Sequence, residues 1–289
     1  MITNSFGVVT GGQSSLLNHS PQFSIDKFLL AYSRFQDIDL TESKSIINKA
    51  LQSHRSTKIK SFPKPKCLQS IEDEWYRSLR NDGEPYYEMY NHDDYFHALW
   101  ACWITYSRAY LLSMIKDGML PNGESIYTLF RDARSVADLG CGLGYTTASL
   151  KELFPNSYVV GTNLKQTRQY DFCKFMSDSY DFDIKDNAKA INRKIDLVFA
   201  SEYFEHIVNA TEHLEEVLTV LQPRFLYVAN SFNTRSAGHF KTYKLANGDD
   251  VPAKEMTKRF NAVMKSHGYR KLKTKVWNNK PSVWVGAEG

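Results

Sequence analysis

Eleven residues, Ser135 to Tyr145, constrain this chain more than any others. They read SVADLGCGLGY: a short apolar run at Val136-Ala137, then an acid, Asp138, and three alternating glycines, Gly140, Gly142 and Gly144. A helical pattern follows from Thr146 to Leu153, and a second apolar run from Tyr158 to Gly161. Strand, glycine turn, helix, strand is the opening of a doubly wound α/β domain. Such sheets bind ligands at the carboxyl ends of their strands, so Asp138 and the glycines are placed for a cofactor. Glycine belongs there because the backbone must turn sharply and let a ligand come close. Three alternating glycines behind an acid are more than a plain chain reversal needs. The dinucleotide fingerprint, G-x-G-x-x-G with an acid about twenty residues on, is a different pattern. This chain has G-x-G-x-G, and its acid stands two residues before the first glycine.

D-L-G-C-G-L-G at the end of a strand resembles motif I of the class I S-adenosylmethionine-dependent methyltransferases. The resemblance implies an α/β, Rossmann-like sheet of seven strands, with S-adenosyl-L-methionine held at Asp138, Gly140, Gly142, Gly144 and Tyr145. It also implies a partner for the ribose hydroxyls at the end of the second strand. Many members carry an acid there. This chain offers Asn163, whose amide can bond a hydroxyl but without the strength of a charge-assisted bond. In SYDFDI, Asp181 and Phe182 stand where the family has an acid for the adenine amino group and an apolar residue for its ring. A surface turn with two aspartates is the equally open alternative. The run GTNLKQTRQ is similar to a short segment of some lipid and small-molecule methyltransferases.

The fourth apolar run, IDLVFA, leads directly into Glu202-Tyr203-Phe204-Glu205-His206. Spacings of three and four put Glu202, Glu205 and His206 on one side of a helix, if a helix starts here. His239 follows the fifth run, RFLYVANSF. Strands four and five are neighbours in this fold, so all four side chains are expected to meet above the cofactor. Two carboxylates and two imidazoles suit a divalent cation such as Mg, Mn, Fe or Zn, and the pattern does not choose among them. E-x-x-E-H with a later His resembles metal-assisted O-methyltransferases of two kinds, small-RNA 2′-O-methyltransferases and ubiquinone-pathway enzymes. That resemblance implies Glu202, Glu205, His206 and His239 as both metal ligands and catalytic residues, the metal lowering the pKa of an acceptor hydroxyl. Two other readings stay open. His206 or His239 can serve as a general base without a metal, or the histidine only shapes the pocket.

Three regions are expected: residues 1–65 as a partly ordered N-terminal helical extension, 66–134 as a helical lid or cap, and 135–289 as the cofactor-binding catalytic domain. In the first, apolar residues recur at helical spacing over 24–35 and 41–54, and Pro63 and Pro65 then mark a linker. In the second, a tyrosine-rich stretch precedes a long helical pattern ending near Asp117, whose aromatic stripe reads either as lid or as core. No run of about 18 apolar residues suggests a membrane span. Four scattered cysteines form no C-x-x-C, and the N-terminus lacks the features of a secretory signal, so a reducing, cytoplasmic setting is expected.

Charge is unevenly distributed. Residues 231–289 hold 12 basic and 4 acidic side chains, a net of +8, against +4 for the whole chain. A basic C-terminal third can attract nucleic acid, and it can also be a solvated lysine-rich surface. The expected activity is methyl transfer to a hydroxyl, of a nucleic acid or of a small hydroxylated metabolite. Transfer to an amine of a base has less in its favour, because no D/N-P-P-Y/F motif is present. A cofactor-binding partner protein without catalysis is the alternative from another class, kept open by the neutral Asn163.

Overall fold

The computed structural model describes residues 25–52, 68–80, 85–93, 95–96, 118–275 and 281–287. The start of the partly ordered N-terminal extension, the Pro63/Pro65 linker and most of the long helical pattern ending near Asp117 lie outside the described residues.

Five short strands build the centre, four of them with almost wholly buried side chains. They are β1 (Ser135–Leu139), β2 (Tyr158–Thr162), β3 (Asp183–Lys185), β4 (Leu197–Ser201) and β5 (Phe225–Ala229). β1, β4 and β5 are nearly continuous apolar runs rather than alternating ones, as strands covered on both faces must be. All five run parallel. β8 (Arg270–Lys271) and β9 (Ser282–Val285) close the edge as an antiparallel pair, giving the seven-stranded order β3-β2-β1-β4-β5-β9-β8. The order reverses between β1 and β4, and the crevice at such a switch point is where ligands enter this architecture. A hairpin, β6 (Thr242–Lys244) with β7 (Asp250–Pro252), stands apart from the sheet and has no counterpart in the sequence reading.

Eight α-helices are described: α1 (Ile25–Gln36), α2 (Leu40–Gln52), α3 (Leu68–Ser78), α4 (Tyr127–Phe130), α5 (Tyr145–Leu153), α6 (Arg168–Tyr180), α7 (Ala210–Leu221) and α8 (Ala253–Ser266). None of the described helices is long and apolar enough to cross a membrane. α5 starts directly from the glycine turn, with Gly144 left-handed at its N-cap. α6 is capped by Thr167, whose hydroxyl accepts from the Tyr170 N–H at 3.1 Å. α1 is part of the main core. Its Phe28, Leu29 and Tyr32 are fully buried in one cluster with Val136 of β1 and Phe172 of α6. The opposite face of the sheet packs Leu214, Val217 and Trp284 with Met256 and Phe260 of α8.

Candidate active site

A cleft of about 930 Å³ lies over the carboxyl ends of β1, β2, β4 and β5. This is large enough for a nucleoside-sized cofactor and the reacting end of a second molecule. Its floor is the glycine turn. Gly140 has a φ of 68°, and a side chain there would overlap the Tyr203 ring. Gly144 has a φ of 79°, and a Cβ would come within 3.1 Å of Cys173 Sγ. Both positions therefore demand glycine, for backbone conformation and for space. The Gly140 N–H donates to Thr162 Oγ1 at 3.0 Å, which ties the turn to the end of β2.

Asp138 lines the cleft with its carboxyl almost fully buried, accepting from Thr147 Oγ1 at 2.7 Å. Burial pushes its pKa up to about 7, against the opposing pull of the Thr147 hydrogen bond. Tyr145 lines the cleft at the start of α5, its ring packed 4.8 Å from that of Phe28.

Asn163 also lines the cleft, and its amide has a further task. Nδ2 donates to the Gly142 carbonyl at 2.6 Å, while Oδ1 accepts from the Leu164 N–H at 2.9 Å. A carboxylate has no proton to give the Gly142 carbonyl. The neutral residue that departs from the family pattern is thus the one that can brace this turn.

The expected adenine pair is not assembled at the cleft. Asp181 caps the C-terminus of α6, exposed and paired with Lys151 at 3.3 Å. Phe182 is buried in the core against Gly144. Both precede β3, at its amino end, whereas the cleft lies over the carboxyl ends. The acid that reaches the cleft is Asp186, just after β3, which pairs with Lys165 at 2.7 Å. Its signal in the sequence was the apolar Ile184 ahead of it, a weak mark for a three-residue strand.

Beyond β4 the chain does not begin an α-helix. Glu202 is left-handed, with a φ of 53°, and Phe204–His206 forms a single 3-10 turn. A non-glycine residue held in this region is strained, and such strain gathers at functional sites. In a 3-10 turn residues three apart eclipse, so His206 is rotated by roughly 120° from Glu205 rather than stacked beside it. Ligand atoms of Glu202, Glu205 and His239 lie within 4.8 Å of one another. His206 stays outside this group, its ring set edge-on to that of His239 at 4.7 Å between centroids. The structure therefore brings together three of the four residues expected to converge, while the fourth, His206, lines the cleft beside His239.

Ser231, at the end of β5, was not singled out by sequence. Its N–H donates to Glu205 Oε1 at 2.6 Å and its hydroxyl to Glu202 Oε1 at 3.2 Å. The His239 carbonyl accepts from the Trp75 indole at 2.7 Å, and the His239 Nδ1–H donates to the Thr234 carbonyl at 3.0 Å. With Nδ1 protonated, Nε2 carries the lone pair of the neutral ring. Burial raises the Glu202 pKa to about 7. Burial and the charge of Glu202 push Glu205 well above the ordinary carboxyl range. Burial, then the neighbouring His239, holds His206 well below the usual histidine value, so that imidazole is neutral at pH 7. Across the cleft, Tyr87, Tyr90 and Tyr95 form an aromatic wall.

Residues 137–228 match the family model described as a methyltransferase domain. No curated protein matches this sequence significantly. Among solved structures, an O-methyltransferase family protein from Burkholderia thailandensis is 11% identical over 95% of this chain and 98% of its own, with a TM-score of 0.48. The methyltransferase domain of bacterial CtHen1 is 16% identical over 55% of this chain and 95% of its own, with a TM-score of 0.39. The N-terminal domain of EvdMO1, solved with SAH bound, is 14% identical over 56% of this chain and 77% of its own, with a TM-score of 0.37. At such scores these likenesses carry no weight on function. The family match spans β1 to β5, with the glycine turn and Glu202-to-His206 inside it, and it marks residues 137–228 as similar to a methyltransferase domain.

Proposed function

We propose that the methyl acceptor is a hydroxyl oxygen and that Glu202, Glu205 and His239 hold a divalent cation beside it. The observation that carries this reading is the convergence of those three side chains within 4.8 Å at the cofactor cleft. Two buried carboxyls side by side repel when both are ionised, so the cation-free pair keeps a proton. A divalent ion would offset that repulsion and displace the proton. Glu205 Oε2 is buried with no hydrogen-bond partner, an orphan that a cation would satisfy. His239 is oriented from behind by the Thr234 carbonyl, as metal-binding histidines usually are. The donor set of carboxylate oxygens and imidazole nitrogen fits Mg²⁺, Mn²⁺, Fe²⁺ or Zn²⁺.

The residues proposed to hold S-adenosylmethionine are Asp138, the Gly140–Gly144 turn, Tyr145, Asn163 and Asp186. The cofactor would supply a methyl group on a sulfonium centre, and a cation held there would lower the pKa of an acceptor hydroxyl. Ser231 keeps both carboxyls in register. Tyr203 packs over the glycine turn and exchanges a hydrogen bond of 2.8 Å with His213 Nε2, fixing the roof of the cofactor half. The tyrosine wall keeps water from the acceptor end. Holding acceptor and cofactor in line accounts for much of the rate.

The test is transfer of radiolabelled methyl onto RNA, DNA and a metabolite extract, in chelator and after adding back each cation. The reading expects loss in chelator, rescue by at least one cation, and label on oxygen. Full activity of metal-free protein in excess chelator would overturn the cation. Label on nitrogen would overturn the hydroxyl.

A further inference from the structure

Beside the cleft lies a second cavity of about 300 Å³, which shares Thr234 and Arg235 with it. Tyr76, Phe232 and Phe240 line it, and Lys241 and Lys254 stand at its rim. No acid lines this cavity. Two cations crowd one aromatic ring here: the Arg235 guanidinium lies 4.7 Å from the centre of the Tyr76 ring, and the Lys241 ammonium 5.3 Å from it. Arg235 is held by Glu72 at 2.6 Å and Asp73 at 3.0 Å. Among the described residues, neither Lys241 nor Lys254 forms an ion pair, so their charges are left uncompensated. Lys254 also sits in the first turn of the 14-residue helix α8, whose N-terminal dipole favours an anion.

We infer that this second cavity binds a phosphate group carried by the methyl acceptor, between Lys241 and Lys254, with Arg235 at the junction with the catalytic cleft. The inference rests on the hydroxyl-transfer reading of that cleft and gives its acceptor a chemical class. An anion would offset the charges of Lys241 and Lys254, and Arg235, already paired with Glu72 and Asp73, lines both cavities so that one molecule can occupy both. The phosphate can be a diester of a polynucleotide or a monoester of a small molecule. Lys241 and Lys254 both belong to the basic stretch 231–289.

Binding is measured without turnover, on the full chain, by fluorescence anisotropy of a labelled ten-nucleotide single-stranded RNA. Calorimetry with adenosine monophosphate and with inorganic phosphate runs beside it. The doubly substituted protein, Lys241→Ala with Lys254→Ala, should bind RNA about tenfold or more weakly at low salt, with the salt slope reduced by roughly 1.4 for two lost contacts. Lys265→Ala, on the last turn of α8, should bind as the parent does. Affinity for S-adenosylhomocysteine should be equal in all, which checks folding. RNA binding that depends on both lysines supports a polynucleotide acceptor. Binding of only the two small probes, with the same dependence, supports a phosphorylated small acceptor. The inference is overturned if no phosphate probe binds, if the double substitution changes nothing, or if Lys265→Ala weakens binding equally. Phosphate binding that survives where no hydroxyl transfer is found would count against the transfer reading and leave this site standing.

Discussion

Folding changes the chemistry of Asp138 in a way that stability can read. In the unfolded chain it ionises near its ordinary value of 3.8, and burial pushes it up to about 7 in the folded protein. Between those values the folded state holds a proton that the unfolded state has released, so stability falls as pH rises through this window. A shift of about three units corresponds to ~4 kcal/mol lost by pH 7 and above. Glu202, also raised to about 7, acts in the same direction. Asp138→Asn should therefore flatten the decline of urea stability between pH 4 and 7 by about 1 kcal/mol per pH unit, measured without cofactor or metal. An unchanged slope would mean that the carboxyl is not buried as described. Asn163 makes the complementary point. It looked like a defect in the cofactor site and is a donor to the Gly142 carbonyl, a bond visible only once the turn is built.

At the scale of elements, α1 is held to α6 and α5 mainly by buried aromatic contacts, with an exposed ion pair, Lys27–Glu152 at 3.2 Å, beside them. Phe28 lies 4.8 Å from Tyr145 and 5.7 Å from Tyr180 between ring centres, and Tyr32 lies 6.2 Å from Phe172. Phe28→Ala should cost about 3–5 kcal/mol in chemical denaturation and weaken cofactor binding through Tyr145. A loss below about 1 kcal/mol would detach α1 from the core. Elements with local signatures were legible in the sequence. Asp138 and the three glycines marked a turn that no other backbone serves, and IDLVFA and RFLYVA could only be buried strands. What was not legible depended on tertiary contacts. Asp186 rather than Asp181 reaches the cleft because β3 is only three residues long, and its bounds decide which acid follows it. The amphipathic spacing of Glu202, Glu205 and His206 suggested an α-helix, but the left-handed Glu202 and a 3-10 turn set His206 aside. Ser231 is one hydroxyl in a polar loop until β5 brings it under both carboxyls.

Across the whole molecule, two features meet at the carboxyl edge of the sheet. In the proposed function the glycine turn and Asn163 form the cofactor half of the cleft, and Glu202, Glu205 and His239 its acceptor half, with Ser231 and Trp75 behind them. Lys241 and Lys254, both in the basic stretch 231–289, line the second cavity beside it. The central claim is that the buried acidic pair and His239 form a cation site, and it is tested most directly by calorimetric titration of Mn²⁺ into metal-free protein, its Glu205→Gln variant and its His239→Ala variant. One site per chain is expected in the parent, weakened at least about 100-fold by either substitution. A parent that binds no Mn²⁺ at millimolar concentration, or variants that bind as tightly as the parent, would contradict it.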